Sequence, residues 1–475
     1  MATLSPSSPT IAELQTPAPA AALRKELGFT DLVLASILLV VVPDFIGSAV
    51  KAGPAHVVLW LLAIALFFVP QALVVSYLNQ RLPMEGGLYE WARHAFGDAV
   101  GFLVALNLWM YVVLYVASVG LVTTNYAAYA FGLNADAVAA HRGVLLATSV
   151  GLIAALMLVA HLGLGVGKWV ANIGSALTVL IVVLLAALPF VRPGGQAANG
   201  YHPLRLVMPP LTLFSFSVFS KMSFGALCGF EYAAIFAGES RNPRRHLTRA
   251  IWIAAPLIAL LYIFGTSAIL AYVSPDNIDV IGPIPQALRV ALGGTRLGEV
   301  IVPIAVLFLL TNYLSSFSLN FAANTRLPMC AGWDHLLPQW FTRLHPRYRT
   351  PVNSILFLGG ITLAAGIAVL VGVGAQEAFE LLLIWAFTFY AIAYLALFAI
   401  PMLASKESSL RGPLWMKVLA TSGFLMTLLF VVLSIFPIIP VASQSAYSAK
   451  TVAVIVLANL AGLILYYKRP KTGSA

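Results

Sequence analysis

Charge is what this sequence has least of. Asp, Glu, Lys and Arg make up 9% of its 475 residues, against 60% hydrophobic residues and a mean hydropathy of +0.92. Globular domains in water carry roughly 25% charged residues, so this composition cannot build a water-facing surface, and a soluble domain of ordinary size is excluded. Cysteine is nearly missing too. Cys228 falls in an apolar run and Cys330 in a loop, so no disulfide framework is expected. The eight histidines are scattered and show no metal-ligand spacing. A Walker loop and a Gly-x-Ser-x-Gly elbow are also absent. Neither an enzyme nor an ATP-driven pump is expected, and no metal or cofactor.

What the chain does have is long apolar runs. A bilayer-crossing helix needs about 20 such residues. The runs 29–52, 55–79, 98–131, 143–163, 167–191, 211–238, 249–273, 297–325, 352–373, 377–403, 414–436 and 448–467 predict an all-α integral membrane protein of about 12 transmembrane helices. Residues 1–22, rich in Ser, Pro, Thr and Ala, read as a disordered cytoplasmic tail, and 469–475 as a short cytoplasmic tail. The first apolar run is too long for the core of a signal peptide. The +10 net charge points to the bilayer, not to nucleic acid. With the N-terminus in the cytoplasm, 19 of the 27 Lys and Arg fall on the cytoplasmic side and 7 outside, with Lys221 inside a run. That bias is the positive-inside signature and predicts both termini in the cytoplasm, in a cell membrane.

Two runs are interrupted. The first contains Val42-Pro43-Asp44-Phe45-Ile46-Gly47, where proline removes a backbone donor next to an acid that is expensive at membrane depth. The sixth contains Phe224-Gly225-Ala226-Leu227-Cys228-Gly229-Phe230-Glu231, two glycines followed by another acid. Broken helices five spans apart point to an inverted-repeat transporter, with its site at the breaks. The repeats would be 23–195 and 211–404, with two extra helices in 413–468. Free backbone N–H and C=O groups at such breaks suit a small zwitterion or amine. Val42, Pro43, Asp44, Phe45, Gly47, Phe224, Gly225, Cys228 and Gly229 are therefore candidate substrate contacts, joined by Asn107 and Tyr111 of the third run. Glu231 is the candidate carrier of a coupling proton, with Lys168 at the start of the fifth run. Ser315 and Ser316 could line a sodium site or simply join helices.

Three longer stretches carry a resemblance. They are Pro83-Met84-Glu85-Gly86-Gly87-Leu88-Tyr89-Glu90-Trp91 through Phe96-Gly97, then Gly229-Phe230-Glu231 through Arg241-Asn242-Pro243, then Arg326-Leu327 through Ala331-Gly332-Trp333-Asp334 to Thr350-Pro351. In order and across most of the chain, they resemble the amino acid–polyamine–organocation transporters. The resemblance implies a five-plus-five inverted repeat with discontinuous helices 1 and 6 and two further helices. It also implies a central site, and proton- or sodium-coupled uptake or exchange of an amino acid or amine. Glu231 matches the acid that many members carry after the sixth-helix break. One departure is clear: where many members have Gly-Ser-Gly in the first helix, this chain has Val42-Pro43-Asp44. An altered carboxylate cradle keeps dicarboxylic and amine substrates open. A non-transporting nutrient sensor of the same fold is the alternative outside transport.

Overall fold

Apolar side chains on every face of a helix can be satisfied only by lipid or by other helices, and this chain does both. The computed structural model describes residues 33, 37, 40–41, 44–82, 87–162, 167–192, 202–231, 243–325, 340, 343–346, 350–405 and 408–468. All regular structure among them is helical. In chain order the elements are α1 (Asp44–Val50), α2 (Gly53–Arg81), α3 (Leu88–Phe96), α4 (Asp98–Ala130), α5 (Ala135–Ala140), α6 (Arg142–Leu162), α7 (Gly167–Val191), α8 (Leu213–Ser220), α9 (Pro243–Tyr272), α10 (Pro283–Leu292), α11 (Arg296–Asn324), α12 (Val352–Val369), α13 (Ala375–Leu403), α14 (Leu414–Leu433) and α15 (Gln444–Lys468).

Nine helices among the described residues are long and apolar enough to cross a membrane. Of the other three predicted spans, the fifth is helical throughout as α7 (Gly167–Val191), and α1 and α8 are described helical parts of the first and sixth. Both tails, 1–22 and 469–475, lie outside the described residues.

The connections sort into two ends. At one end Gly53 meets Pro275, Asp279 accepts from Asn125, Tyr129 and Gln376, and Glu377 accepts from the Ala442 amide. At the other end Tyr77 and Arg81 donate to the carbonyls of Arg411 and Ser409, and Thr350 donates to that of His161. Such sorting is what successive crossings of one layer require. Burial then ranks the helices. The apolar window of α13 is 83% buried and that of α15 only 11%, so α13 is the axis of the bundle and α15 lies at its periphery. α13 packs against α4 on one side and α14 on another.

Part of the first resembling stretch is described, and its glycines have a backbone reason. Gly87 (φ 53°) and Gly97 (φ 91°) bracket α3 in conformations that side chains disfavour. The Trp91 indole donates to the Leu82 carbonyl at 2.8 Å and folds α3 back against the end of α2. Residues 83–86, 232–242 and 326–339, which carry much of the rest of the resemblance, lie outside the described residues.

Candidate functional site

The break in the sixth predicted span falls within the expected stretch Gly225–Gly229, at its second glycine. α8 does not stop at Gly225. It passes into a wider i→i+5 turn over Lys221–Gly225, and regular helical structure lapses only at Cys228 and Gly229. Gly229 has φ 125°, a value only glycine adopts without strain, and the chain re-enters helical geometry at Phe230. Wide turns of this kind recur at functional sites, and α2 contains another at Ile64–Phe68. The two turns are in contact.

The first span differs from expectation. Phe45–Gly47 is not unwound, because α1 is regular from Asp44 to Val50. Val42 and Pro43, on which the expected interruption also rests, lie outside the described residues. Asp44 opens α1, but its side chain is likewise not described.

The two spans nevertheless meet. The Tyr262 hydroxyl on α9 lies 2.8 Å from the carbonyl of Val40 and 2.8 Å from that of Ala226, bridging the two segments. Phe45 covers Gly225 so closely that any Cβ there would enter its ring. Around this contact stands a box of aromatic side chains. Phe45 meets Phe387 edge-on at 4.7 Å, Tyr111 stacks on Tyr390 at 4.5 Å, and Phe224 sits 5.9 Å from Tyr390 and 5.2 Å from Tyr394.

Glu231 closes one side of the box. It is 3% exposed, and its two carboxyl oxygens take the hydroxyls of Tyr390 and Tyr394. Those tyrosines are four residues apart on α13 and so share one face. Tyr394 also receives the Gly229 amide at 2.8 Å. Gln71 of α2, fully buried, sends its amide into the break. It lies 2.7 Å from Tyr394 Oη, 2.8 Å from the Leu227 carbonyl, and 3.1 and 3.2 Å from the amides of Gly229 and Phe230. The backbone groups that lose helical partners at the break are thus met by side chains of α2, α9 and α13, as burial demands.

Of the sequence candidates, Phe45, Tyr111, Phe224, Gly225, Cys228, Gly229 and Glu231 come together here. Cys228 is a buried free thiol that leans on its own turn, with Sγ 3.7 Å from the Gly225 carbonyl. Asn107 is turned away. Its amide donates to Asn459 of α15 and to the Leu103 carbonyl, both at 2.8 Å, so it fastens α4 to a peripheral helix. Gly47 packs against the backbone of Val280, 3.1 Å from where a Cβ would sit, and serves a loop contact. Ser315 donates to the carbonyl of Thr311 at 2.7 Å, and Ser316 Oγ lies 3.4 Å from the Asn320 amide; both partners are on their own helix. Lys168 is the second residue of α7, with its side chain outside the description.

Sequence reasoning missed Gln71, Tyr262, Tyr390 and Tyr394. Their signal was a lone amide in an apolar run and a Tyr pair at helical spacing. It also missed a buried ion pair. Lys221 and Glu380 are each 1% exposed, with Nζ and Oε1 3.9 Å apart. Lys221 lies 3.4 Å from both Ser217 Oγ and the Phe436 carbonyl, while Glu380 Oε1 has no hydrogen-bond partner among the described residues. The pair joins the wide turn before the break to α13.

With this geometry in place, comparison with known proteins gives a consistent result. The amino acid permease family model matches residues 28–460. An uncharacterized transporter of Legionella pneumophila is 28% identical over 71% of this chain and 72% of its own length. A probable agmatine/putrescine antiporter of Lactococcus lactis is 25% identical over 61% of this chain and 60% of its own. A serine/threonine exchanger of Bacillus subtilis is 22% identical over 94% of this chain and 98% of its own.

Proposed function

The chain belongs to the amino acid permease family, and from that premise we propose that it is a proton-coupled secondary transporter for an amino acid or related amine, working by alternating access. The observation that carries this reading is the buried Glu231, held by two tyrosines directly after the helix break and beside an aromatic box. A carboxylate in so dry a place is costly unless it is protonated or paired with a cation. A group that passes between those two conditions can link proton movement to substrate movement. Twelve spans in a five-plus-five arrangement, with 413–468 appended and both termini in the cytoplasm, complete the proposal.

An amine substrate has particular support. Aromatic faces attract ammonium groups, with about 0.5–2 kcal/mol per contact, and an acid stands next to them. The names of relatives divide: one is named for agmatine and putrescine and another for cationic amino acids, while others are named for serine and threonine or for branched-chain amino acids. Sodium coupling through Ser315 and Ser316 is the alternative: each hydroxyl has a partner on its own helix and its oxygen keeps a lone pair for a cation.

Uptake of radiolabelled agmatine, putrescine, serine and isoleucine into proteoliposomes tests the proposal. The expected result is that one of these accumulates on an imposed proton gradient in sodium-free buffer. Glu231→Gln should fold and bind, yet lose most of the pH dependence. Uptake that requires sodium and ignores the proton gradient overturns the proton reading. Specific binding with no uptake of any probe points to a sensor.

A further inference from the structure

Between Glu231 and the broken backbone stands one hydroxyl hydrogen with two claimants. Tyr394 lies against Glu231 on one side and 2.7 Å from the Gln71 amide on the other. Ionised Glu231 accepts the Tyr394 hydrogen. If Gln71 turns its NH2 toward Tyr394, its oxygen faces the Leu227 carbonyl, acceptor against acceptor, and its nitrogen faces the amides of Gly229 and Phe230. Turning the amide over repairs that contact. Its nitrogen then donates to Leu227 at 2.8 Å, while its oxygen accepts from Gly229, Phe230 and the Tyr394 hydroxyl at 3.1, 3.2 and 2.7 Å. Tyr394 has no hydrogen left for Glu231, so the carboxyl must supply its own. Only a protonated Glu231 lets every group be satisfied together: Glu231 O–H to Tyr394, Tyr394 O–H to Gln71, and Gln71 N–H to Leu227.

We propose that Gln71 is a positioning residue that makes the closed geometry of the helix break depend on the proton carried by Glu231. The proposal deepens the transporter reading and rests on it. When the proton leaves, one bond of the chain is lost whichever way the amide turns, and a buried unsatisfied group is expensive. The carbonyl of Leu227 or the hydroxyl of Tyr394 then needs another partner, such as a substrate ammonium or water. Among the described residues, the titratable groups facing Glu231 are Tyr390 and Tyr394 on α13 and Cys228 on its own segment. The contribution from α2 is Gln71, which does not titrate. Its role is to pass the state of the acid to the backbone.

Backbone amide exchange of the unaltered protein, followed by mass spectrometry, tests this without any substrate. Protection across 225–231 should fall as pH rises from about 5 to 8, the range a buried carboxyl can reach, beyond the intrinsic acceleration measured on α14. The expected excess is about tenfold, the factor for about 1.4 kcal/mol. Gln71→Met should remove the excess and flatten the pH profile of proteoliposome uptake; it should also lower the melting temperature at every pH, because it strands the Leu227 carbonyl and the Phe230 amide. Gln71→Glu, which keeps a polar group in the break, should shift the profile without abolishing it. Corrected protection that is independent of pH overturns the proposal, and so does a Gln71→Met protein with the original pH profile. Should Gln71→Met fail to fold, the exchange measurement and Gln71→Glu decide it. Absence of uptake for all four probes counts against the transporter reading alone, since the exchange result does not depend on transport.

Discussion

Gly225 has no room for a side chain, and the reason is Phe45 of another predicted span. An added Cβ would fall within the ring, and the ring is wedged against Phe387 at 4.7 Å. Overpacking of this kind costs about 1–3 kcal/mol. Gly225→Ala is therefore expected to lower the melting temperature of the purified protein and to push Phe45 out of the aromatic box. Transport should fall far more than stability, because the displaced ring borders the site. A variant with normal uptake would show that the close approach of the two spans is not needed for function. Gly229 differs in kind: its backbone angle, φ 125°, excludes other residues before any contact is considered.

At the scale of elements, the segment from α8 through the break is fastened to α13 on both sides of Gly229. Before the break the tie is Lys221–Glu380; after it, Glu231 with Tyr390 and Tyr394. Removing one partner of a buried ion pair strands the other charge and costs about 3–5 kcal/mol, whereas replacing both by apolar residues is often neutral or stabilising. Glu380→Gln is expected to destabilise the protein by roughly that amount, and Lys221→Met with Glu380→Met to recover most of it, as read by thermal unfolding in detergent. If the single change costs nothing, the 3.9 Å pair contributes no attraction. Glu380 precedes Phe387, which meets Tyr111 in the aromatic box, by about two turns of α13 or roughly 10 Å of helix. The pair therefore lies along the same helix as the site and not within it.

For the whole molecule, the sorting of loops into two ends agrees with the alternation expected from the apolar runs. Which end faces the cytoplasm is a matter of charge. The proposal that 81–97, 325–350 and 404–412 lie inside rests on the 19-to-7 division of Lys and Arg. A reporter fused after Ala475 should be active only as a cytoplasmic reporter. Activity on the outer side would overturn both the orientation and the even number of crossings.

Much of this was legible in the residues themselves. Helical class and membrane residence follow from composition, because few charges and long apolar runs have a single solvent that suits them. The break was visible in Gly225 and Gly229, since glycine is costly in a helix unless backbone freedom is used, and Glu231 stood out as an acid in an apolar run. Its exact extent was not visible. Whether a helix lapses at Gly225 or at Cys228 depends on the wide turn from Lys221 and on partners such as Gln71 and Tyr262, which arrive from α2 and α9. Asn107 shows the same limit from the other side: its spacing allowed it to face the centre, but Asn459 on α15 holds it. Local sequence determines which backbone groups and charges have to be satisfied, because those costs belong to each residue. The packing of distant helices decides what satisfies them, because the partners are far apart in the chain, 323 positions for Gln71 and Tyr394, and meet only in the folded bundle.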